Sequence, residues 1–344
     1  MYKFKNSLGF KLSVYIVMVV MLVYVVVFMP TPYIIYQPGS AEEVKPMISV
    51  QDGDMAEQGT FMMTTVSARY ANIALLAASS FNPNAEVDKK QSRLGEKSED
   101  EYAAEQVFYM SNSQSSAMEA AYKEAKIPYQ ILPEYLFVFS VPKEADNRKY
   151  FNPGDRIVEV EGQPASDNVA LTSLLTNKKV GDVVSVKLKR GGESLVENVP
   201  LVAIKDGSKT RPGLGIIIAT MQKVTTDDPG KQVEFVNTQV GGPSAGLMFT
   251  MEIYNQLTEG DLTKGYRVAG TGTIVEGGTV GPIGGVKHKI VAADRKNAEI
   301  FFVPKDNYQE AKAKADKIDT TMKLVPVSTL EDALLYMNNL EAKP

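Results

Sequence analysis

The longest apolar segment of the chain lies close to its start. Residues 12–29 are almost wholly apolar, and Pro30 follows them directly. A helix of about eighteen residues rises about 27 Å, which is close to the hydrocarbon thickness of a bilayer. Because proline cannot continue a helix, the pattern predicts a membrane-spanning helix that ends before Pro30.

Two other interpretations of this segment have less support. A cleaved signal peptide would have a shorter apolar core and a cleavage site of small residues. Residues 29–32 make a poor site of that kind, although the small residues 39–41 lie nearby. A core helix of a soluble domain would show polar positions at helical spacing, which this segment lacks. We therefore predict an uncleaved anchor over residues 12–35.

The basic residues around this segment predict its orientation. Lys3, Lys5 and Lys11 precede the apolar run, and the next basic residue is Lys45. Cytoplasmic flanks of membrane helices carry an excess of lysine and arginine. The sequence therefore predicts a cytoplasmic N-terminus over residues 1–11 and an extracellular chain after about Thr31, so that the protein crosses the cell membrane once.

Residues 40–128 show weaker patterns. Their composition predicts a strand at 59–67, a helix at 68–80, an exposed polar segment at 83–100 and a long helix at 101–126 that Pro128 ends. No chemical motif occurs in this stretch. We interpret it as an extracellular α/β region that completes the fold of the later domains, with no other assigned role.

Residues 130–203 show the short alternating strands of a small β domain. A turn and an alternating strand fill residues 153–164, and a leucine-bearing helix follows at 166–175. An alternating strand at 183–188 then leads through a Gly-Gly turn into a further strand that ends near Leu201.

This order of elements resembles a PDZ domain of the bacterial protease type, above all in the Pro-Gly-Asp-Arg-Ile motif at 153–157. The resemblance implies a module that binds an extended peptide as an added strand. Residues 130–203 contain no clear Gly-Leu-Gly-Phe carboxylate loop, so the kind of segment bound stays open. A β domain that acts only as a spacer is the alternative interpretation.

Residues 205–344 alternate between predicted strands and helices. Strands are predicted at 232–236, 299–303 and 322–327, and helices at 248–257, 306–317 and 328–340. Taken together, the patterns predict an α+β multidomain protein. Its parts are an N-terminal transmembrane helix, a PDZ-like β domain and a C-terminal α/β domain.

Composition excludes several classes of site. The 344 residues carry 37 basic and 41 acidic side chains, so the basic excess of a nucleic-acid binder is absent. The chain has no cysteine and one histidine, His288. Thiolate metal sites, His-rich metal sites and a cysteine nucleophile are therefore excluded. We expect neither a metal nor a cofactor.

The segment at 241–246 reads Gly-Gly-Pro-Ser-Ala-Gly and precedes the predicted helix at 248–257. Small residues around Ser244 would allow a peptide carbonyl to approach its hydroxyl. A serine at the start of a helix would also have free backbone N–H groups and a positive dipole end beside it. Ser244 is therefore a candidate nucleophile.

A serine nucleophile needs a base, and a second glycine-rich segment supplies one. Residues 282–293 carry Lys287, His288 and Lys289 after a Gly-Gly pair, and an apolar run follows Lys289. A lysine can deprotonate serine when burial lowers its pKa, because desolvation disfavours the ammonium form.

Together the two segments resemble the proteolytic domain of Lon proteases, which use a Ser-Lys dyad. Pro-Ser-Ala-Gly matches at 243–246, and Ile-Gly-Gly-Val-Lys-His-Lys matches at 283–289. The resemblance implies that Ser244 is the nucleophile and Lys289 the general base, and that Thr271, in Thr-Gly-Thr-Ile, supports the lysine. It also implies that Lys287 is not catalytic and that a homo-oligomer could form.

The whole chain resembles the YlbL or SepM type of Gram-positive surface protease. Gly241 stands where Lon proteases usually have aspartate, and no Gly-x4-Gly-Lys-Ser/Thr phosphate loop occurs. The resemblance implies an ATP-independent serine endopeptidase that cleaves extracellular or membrane-associated peptides and unfolded proteins. Its PDZ-like module would bind the substrate.

Two alternatives stay open at the level of sequence. Gly-Pro-Ser-Ala-Gly also fits the nucleophile elbow of α/β-hydrolases, which would need His288 as base. The acids available to that arrangement are Glu252, Glu259, Asp261 and Glu276. The second alternative is a catalytically silent surface scaffold that binds partners through its PDZ-like module.

Overall fold

A computed structural model describes residues 8–142, 146–207, 209–236 and 241–343 of the chain. Most of the predicted cytoplasmic segment, including Lys3 and Lys5, lies outside the described residues. The described part contains nine α-helices. They are α1 (Leu8–Phe28), α2 (Ile73–Ser79), α3 (Lys90–Leu94), α4 (Glu99–Glu124), α5 (Asn168–Leu175), α6 (Gly246–Leu257), α7 (Val286–Arg295), α8 (Tyr308–Lys317) and α9 (Leu330–Asn338).

Eighteen strands accompany these helices in the described residues. They are β1 (Pro30–Glu43), β2 (Ile48–Val50), β3 (Thr60–Asn72), β4 (Glu86–Lys89), β5 (Gln130–Ser140), β6 (Arg156–Val160), β7 (Gln163–Pro164), β8 (Val183–Arg190), β9 (Glu193–Pro200), β10 (Val202–Asp206), β11 (Lys209–Gly213), β12 (Ile217–Thr225), β13 (Val233–Phe235), β14 (Arg267–Gly270), β15 (Thr273–Ile274), β16 (Val280–Gly281), β17 (Ile300–Pro304) and β18 (Lys323–Val327).

Helix α1 is the described helix that is long and apolar enough to cross a membrane, and none of its residues is buried in the protein. Its 21 residues rise about 31 Å. The helix ends at Phe28, and β1 begins at Pro30. The predicted anchor over 12–35 is therefore shorter at its C-terminal end. Residues from Pro30 onward are extended because β1 pairs with β3.

The largest sheet joins distant parts of the chain. Its strand order is β18-β17-β14-β3-β1-β4. Strand β14 pairs in parallel with both β3 and β17, whereas β1 is antiparallel to β3 and β4. The predicted division between residues 40–128 and 205–344 thus separates strands that share one sheet.

Alternating side chains of this sheet enter two cores. In β3, Phe61 and Met63 pack with α6 and α9 on one face, and Met62 packs with α7 and α8 on the other. Successive side chains of a strand point to opposite faces, so a central strand with both faces covered is apolar throughout. Helix α7 is held against β1 and β3 by the second core.

A second sheet, in the order β12-β5-β6-β8-β9, forms a separate β module with its own apolar core. Strand β12 lies beyond the predicted boundary at residue 203, and it pairs with β5 along the whole length of that strand. Helix α4 connects this module to the larger sheet. The ring of Phe108 lies 6.0 Å from that of Phe137 and 5.5 Å from that of Phe139, measured between centroids.

The predicted helix at 68–80 is wrong in its first five residues. Strand β3 continues to Asn72, because residues 66–70 pair with β1. Only Ile73–Ser79 is helical, and the Asn72 side chain accepts a hydrogen bond from the N–H of Leu75 as its N-cap. Pairing between distant strands therefore overrides a local helical preference here.

Tyr122 provides a test of how α4 holds the larger body together. It is fully buried, and its hydroxyl donates to the Lys231 carbonyl at 2.9 Å and accepts from the Val233 N–H at 3.0 Å. We expect Tyr122→Phe to lower the free energy of unfolding by about 1–3 kcal/mol, because two buried backbone groups lose their partner. Urea unfolding of the full chain in detergent measures this change in the free energy of unfolding.

Tyr109→Phe is the matched control in the same helix. Tyr109 is 38% exposed, and its hydroxyl donates to the Glu105 carboxylate, which keeps Lys97 as a second partner, so we expect a change within about 0.5 kcal/mol. Equal effects of the two substitutions would contradict the assigned role of Tyr122.

Candidate active site

Ser244 lies in the loop that precedes α6, and it is half-buried rather than enclosed. Helix α4 holds this loop from one side. The Ser113 hydroxyl donates to the Pro243 carbonyl at 3.0 Å, and the Gly242 N–H donates to the Gln106 carbonyl at 3.0 Å. Gly242 has φ +86°, a conformation that glycine adopts at little cost. The loop is therefore fixed immediately before the serine.

The backbone of Ser244 is also held from the other side. Its carbonyl accepts hydrogen bonds from the Gly272 N–H at 2.9 Å and from the Thr271 hydroxyl at 3.0 Å. Thr271 follows β14 and is fully buried. With the α4 contacts, these bonds hold the backbone on both sides of the Ser244 side chain.

Helix α6 begins at Gly246, two residues earlier than predicted, and Ala245 is its N-cap. Ser244 therefore lies just before the start of the helix. Within the described residues, the N–H groups of Ser244 and Ala245 have no hydrogen-bond partner. Free N–H groups at a helix N-terminus can stabilise a developing oxyanion.

Lys289 projects from the first turn of α7, and it is 3% exposed. Gly285 caps this helix in the left-handed region, at φ +72°. The amine nitrogen Nζ lies 2.6 Å from Ser244 Oγ, 2.9 Å from Thr271 Oγ1 and 3.0 Å from the carbonyl oxygen of Thr64. The structure thus brings together all three residues that the sequence selects.

Burial determines the charge of this amine. Desolvation lowers the pKa of Lys289 from 10.5 to about 7, and among the residues that the structure describes no neighbouring carboxylate opposes it. The three oxygens around Nζ are neutral. Near neutral pH, therefore, the uncharged amine of Lys289 is accessible.

The hydrogen-bond partners fix how the uncharged amine is oriented. The Thr271 hydroxyl donates to the Ser244 carbonyl, so its oxygen is left to accept from Nζ, and the Thr64 carbonyl can only accept. These two oxygens take both hydrogens of a neutral amine. Its lone pair then faces the Ser244 hydroxyl and can accept that proton.

Residues outside the predicted set complete the site. Thr64 contributes its backbone carbonyl from β3, and its own hydroxyl donates to the Gly270 carbonyl at 3.0 Å. Ser113 and Gln106 contribute from α4. Sequence analysis assigned no chemistry to residues 40–128. Backbone carbonyls have no sequence signature, and the contacts of Ser113 and Gln106 depend on tertiary packing.

Lys287 and His288 point away from Ser244, on sides of α7 other than the one that carries Lys289. Lys287 is exposed and lies 3.4 Å from the Glu310 carboxylate. His288 is buried, with 3% of its surface exposed. Its Nε2 faces Glu86 at 3.5 Å, and burial lowers the pKa of His288 although Glu86 acts in the opposite direction.

The acids that a hydrolase elbow would need are directed elsewhere. Glu252 is buried in α6, where it accepts a hydrogen bond from Gln256, and desolvation raises its pKa to about 8. Asp261 accepts from the N–H and hydroxyl of Thr263. Neither is placed to orient His288, so the geometry disfavours that alternative.

Two cavities lie away from the Ser-Lys pair. One of about 240 Å³ lies between α4, β12 and β13, and another of about 300 Å³, lined in part by His288, lies between α7 and α8. Neither is lined by Ser244 or Lys289. In the part of the chain that the structure describes, no group of three or more acidic, histidine or cysteine side chains could hold a metal ion.

Two family profiles match the chain. Residues 236–338 match the Lon protease (S16) C-terminal proteolytic domain, and residues 118–201 match the PDZ domain. The first contains Ser244, Thr271 and Lys289. The second covers α5 and the strands from β5 to β9.

Curated relatives match about a third of the chain. The Lon protease of Azospirillum brasilense is 36% identical over 107 residues, which are 31% of this chain and 13% of that protein. The Lon protease of Campylobacter concisus is 37% identical over 108 residues, 30% of this chain and 12% of that protein. The chain thus spans about an eighth of the length of these relatives.

Solved structures match the β module. The PDZ domain of an SdrC-like protein from Listeria monocytogenes is 28% identical and covers 25% of this chain and 88% of that chain, with a TM-score of 0.23. The PDZ domain of the SdrC-like protein from Listeria innocua is 30% identical. It covers 25% of this chain and 93% of that chain, also with a TM-score of 0.23.

The buried amine predicts how the reactivity of Ser244 depends on pH. If proton transfer to neutral Lys289 is required, labelling by a fluorophosphonate should fall about tenfold per pH unit below pH 6 and level off above about pH 8. His288→Ala should leave the midpoint near 7. A labelling rate that still rises tenfold per unit at pH 9 would contradict the lowered pKa.

Thr271→Val tests the hydrogen-bond arrangement around Nζ. The valine keeps the branched shape but leaves one amine hydrogen and the Ser244 carbonyl without this partner. A buried donor left unpaired costs about 1–3 kcal/mol, so labelling at pH 8 should fall about tenfold or more. Thr271→Ser retains the hydroxyl and should stay within about threefold of the wild type. Equal labelling rates for the valine and serine variants would show that the Thr271 hydroxyl does not orient the amine.

Proposed function

We propose that this PDZ-containing, Lon-like chain is a serine endopeptidase that uses Ser244 as nucleophile and Lys289 as general base. The observation that carries the proposal is the 2.6 Å separation of Nζ and Oγ within a site where the amine is desolvated. A buried lysine without a carboxylate partner is costly to a fold, and such groups are concentrated at functional sites.

The proposed mechanism begins with transfer of the Ser244 hydroxyl proton to Lys289. The serine oxygen attacks a peptide carbonyl, and the free N–H groups of Ser244 and Ala245 bind the resulting oxyanion. The ammonium of Lys289 then returns its proton to the leaving amine as the C–N bond breaks. Water, deprotonated by Lys289, finally hydrolyses the acyl-enzyme and regenerates the serine.

The surroundings of Nζ suit both charge states of this cycle. As an amine, Lys289 donates to Thr64 and Thr271 and accepts from Ser244. As an ammonium it has three hydrogens, and the same three oxygens can accept them. No side chain has to rearrange when the proton moves, which is the preorganisation that general-base catalysis needs.

The substrate class that we propose is short or already unfolded polypeptide. The sequence contains no phosphate-binding loop with which these 344 residues could hold ATP and pull a folded chain apart. We propose that the PDZ module binds the substrate as an added strand. Strand β12 supports this, because it is an edge strand of that sheet and follows a Gly-Leu-Gly-Ile segment at 213–216.

We further propose that α1 anchors the protein in the cell membrane with its N-terminus in the cytoplasm. Its hydropathy and exposure support a span, and the absence of basic residues between Lys11 and Lys45 supports the direction. The catalytic and PDZ parts then lie outside the cell.

Cleavage of a fluorescent unfolded protein by the full chain in detergent micelles tests the proposal. We expect Ser244→Ala and Lys289→Ala each to lower turnover by roughly a thousandfold or more, because each removes a group of the reacting pair. Lys287→Ala and His288→Ala are matched controls on the same helix, and they should keep most of the activity.

Two outcomes would contradict the assignment. Activity that is lost in His288→Ala and kept in Lys289→Ala would transfer the base to the histidine. A wild-type chain that neither cleaves unfolded proteins nor reacts with a fluorophosphonate would instead be a binding scaffold.

A further inference from the structure

The surface beside the C-terminal end of α1 is apolar and exposed. Residues 71–85 contain no charged side chain. Phe81 is 89% exposed and Ile73 is 43% exposed. We propose that α2 and Phe81, hereafter the interfacial patch, lie on the boundary of the same bilayer that α1 crosses. The inference rests on the membrane anchoring proposed above, and it adds a second contact between the protein and the membrane.

No linker separates the membrane helix from the folded body. Helix α1 ends at Phe28, and β1 begins at Pro30, which pairs with Asn72. The Thr31 hydroxyl also donates to the Ala71 carbonyl at 2.6 Å. Because β1 and β3 are internal to the large sheet, the end of α1 is joined directly to a rigid part of the protein.

A single side chain connects the end of α1 to the start of α2. The amide nitrogen of Asn72 donates to the Val27 carbonyl at 2.5 Å, and its amide oxygen accepts from the Leu75 N–H at 2.8 Å. Asn72 therefore binds the C-terminus of one helix and the N-terminus of the other. It holds α2 at the level of Val27.

That level coincides with the boundary of the hydrocarbon. The 21 residues of α1 rise about 31 Å, and a typical hydrocarbon core is about 30 Å thick. If α1 spans the core, Val27 and Phe28 lie at its outer edge. Helix α2, which contacts α1, then lies in the headgroup region beside it.

The exposed side chains suit that environment. Ile73 and Ala77 are exposed four residues apart in α2, the spacing that places helical side chains on one face. Phe81 follows the helix by two residues and is also exposed. Tyr70, which is 43% exposed, lies at the edge of the patch with Lys90 Nζ 4.6 Å from its ring centroid. Tyrosine and lysine are typical of the membrane interface. Continuity with α1 selects the bilayer, rather than a second copy of the chain, as the occupant.

A second contact would stop the body from tilting about α1, and would so set the distance of the active site from the membrane. Thr64, whose carbonyl contacts Lys289, precedes Asn72 by eight residues in β3. Eight strand residues span at most about 27 Å. A membrane-attached polypeptide would therefore reach Ser244 with a short extended segment, which deepens the proposed function toward substrates tethered to the same leaflet.

The absence of cysteine allows single positions to be labelled. Three variants of the full chain, Phe81→Cys, Ile16→Cys and Val169→Cys, would carry an environment-sensitive fluorophore in phosphatidylcholine–phosphatidylglycerol vesicles with doxyl-labelled lipid. Ile16 lies within α1, and Val169, 75% exposed, lies on α5 of the PDZ module. We expect strong quenching at position 16, clear quenching by shallow doxyl groups at 81, and none at 169.

Each other result would overturn the inference in a distinct way. Quenching at 16 without quenching at 81 would leave the anchor and exclude the patch. No quenching at either position would exclude the anchor as well. A signal at 81 that disappears on dilution of protein in lipid would assign the patch to a second copy. None of these results depends on peptidase activity.

A substitution tests the consequence for the reaction. We expect Phe81→Asp to lower cleavage of a lipid-tethered peptide several-fold and to leave cleavage of the same peptide in solution unchanged. Phe81 is nearly fully exposed, so the fold should tolerate the change. If the wild type and Phe81→Asp cleaved the tethered peptide at equal rates, the inference would be contradicted. An equal loss of activity on the tethered and the free peptide would contradict it as well.

Discussion

The burial of one lysine amine is the constraint on which the rest of the catalytic body depends. Transferring an ammonium out of water is strongly unfavourable, and in the described part of the chain no carboxylate lies beside Lys289 to compensate. The fold instead surrounds Nζ with three neutral oxygens, from Thr64, Thr271 and Ser244. These oxygens come from β3, from the segment after β14 and from the loop before α6, so the site exists only when the large sheet is assembled.

The remaining elements position that assembly. Helix α4 fixes the serine loop through Ser113 and Gln106, and between these two residues it packs Phe108 against the PDZ module. The same helix thus contacts both the PDZ module and the loop that carries Ser244. At the opposite end of β3, Asn72 joins the sheet to the end of α1. The parts to which we assign catalysis, peptide binding and membrane contact are therefore connected through two elements, α4 and β3.

Local motifs predict two of the site residues, whereas elements that depend on pairing between distant strands are not predicted from the sequence. The glycine-rich segments identify Ser244 and Lys289, because tight turns and a helix start need those residues locally. The Thr64 carbonyl is invisible in the sequence, since any residue could supply it. The helix predicted from residue 68 failed because β1 pairs with that segment. The β12 edge strand was missed for a similar reason, as its partner β5 lies nearly ninety residues earlier in the chain.

The charge state of Lys289 can be measured directly. In the full chain labelled with ¹³C and ¹⁵N at lysine and held in micelles, nuclear magnetic resonance follows the Cε and Nζ signals with pH, and Lys289→Met assigns the signal that disappears. We predict that the signal of Lys289 titrates near pH 7, well below the usual pKa of a lysine. A Lys289 signal that stays protonated to pH 9 would contradict the general-base role at neutral pH.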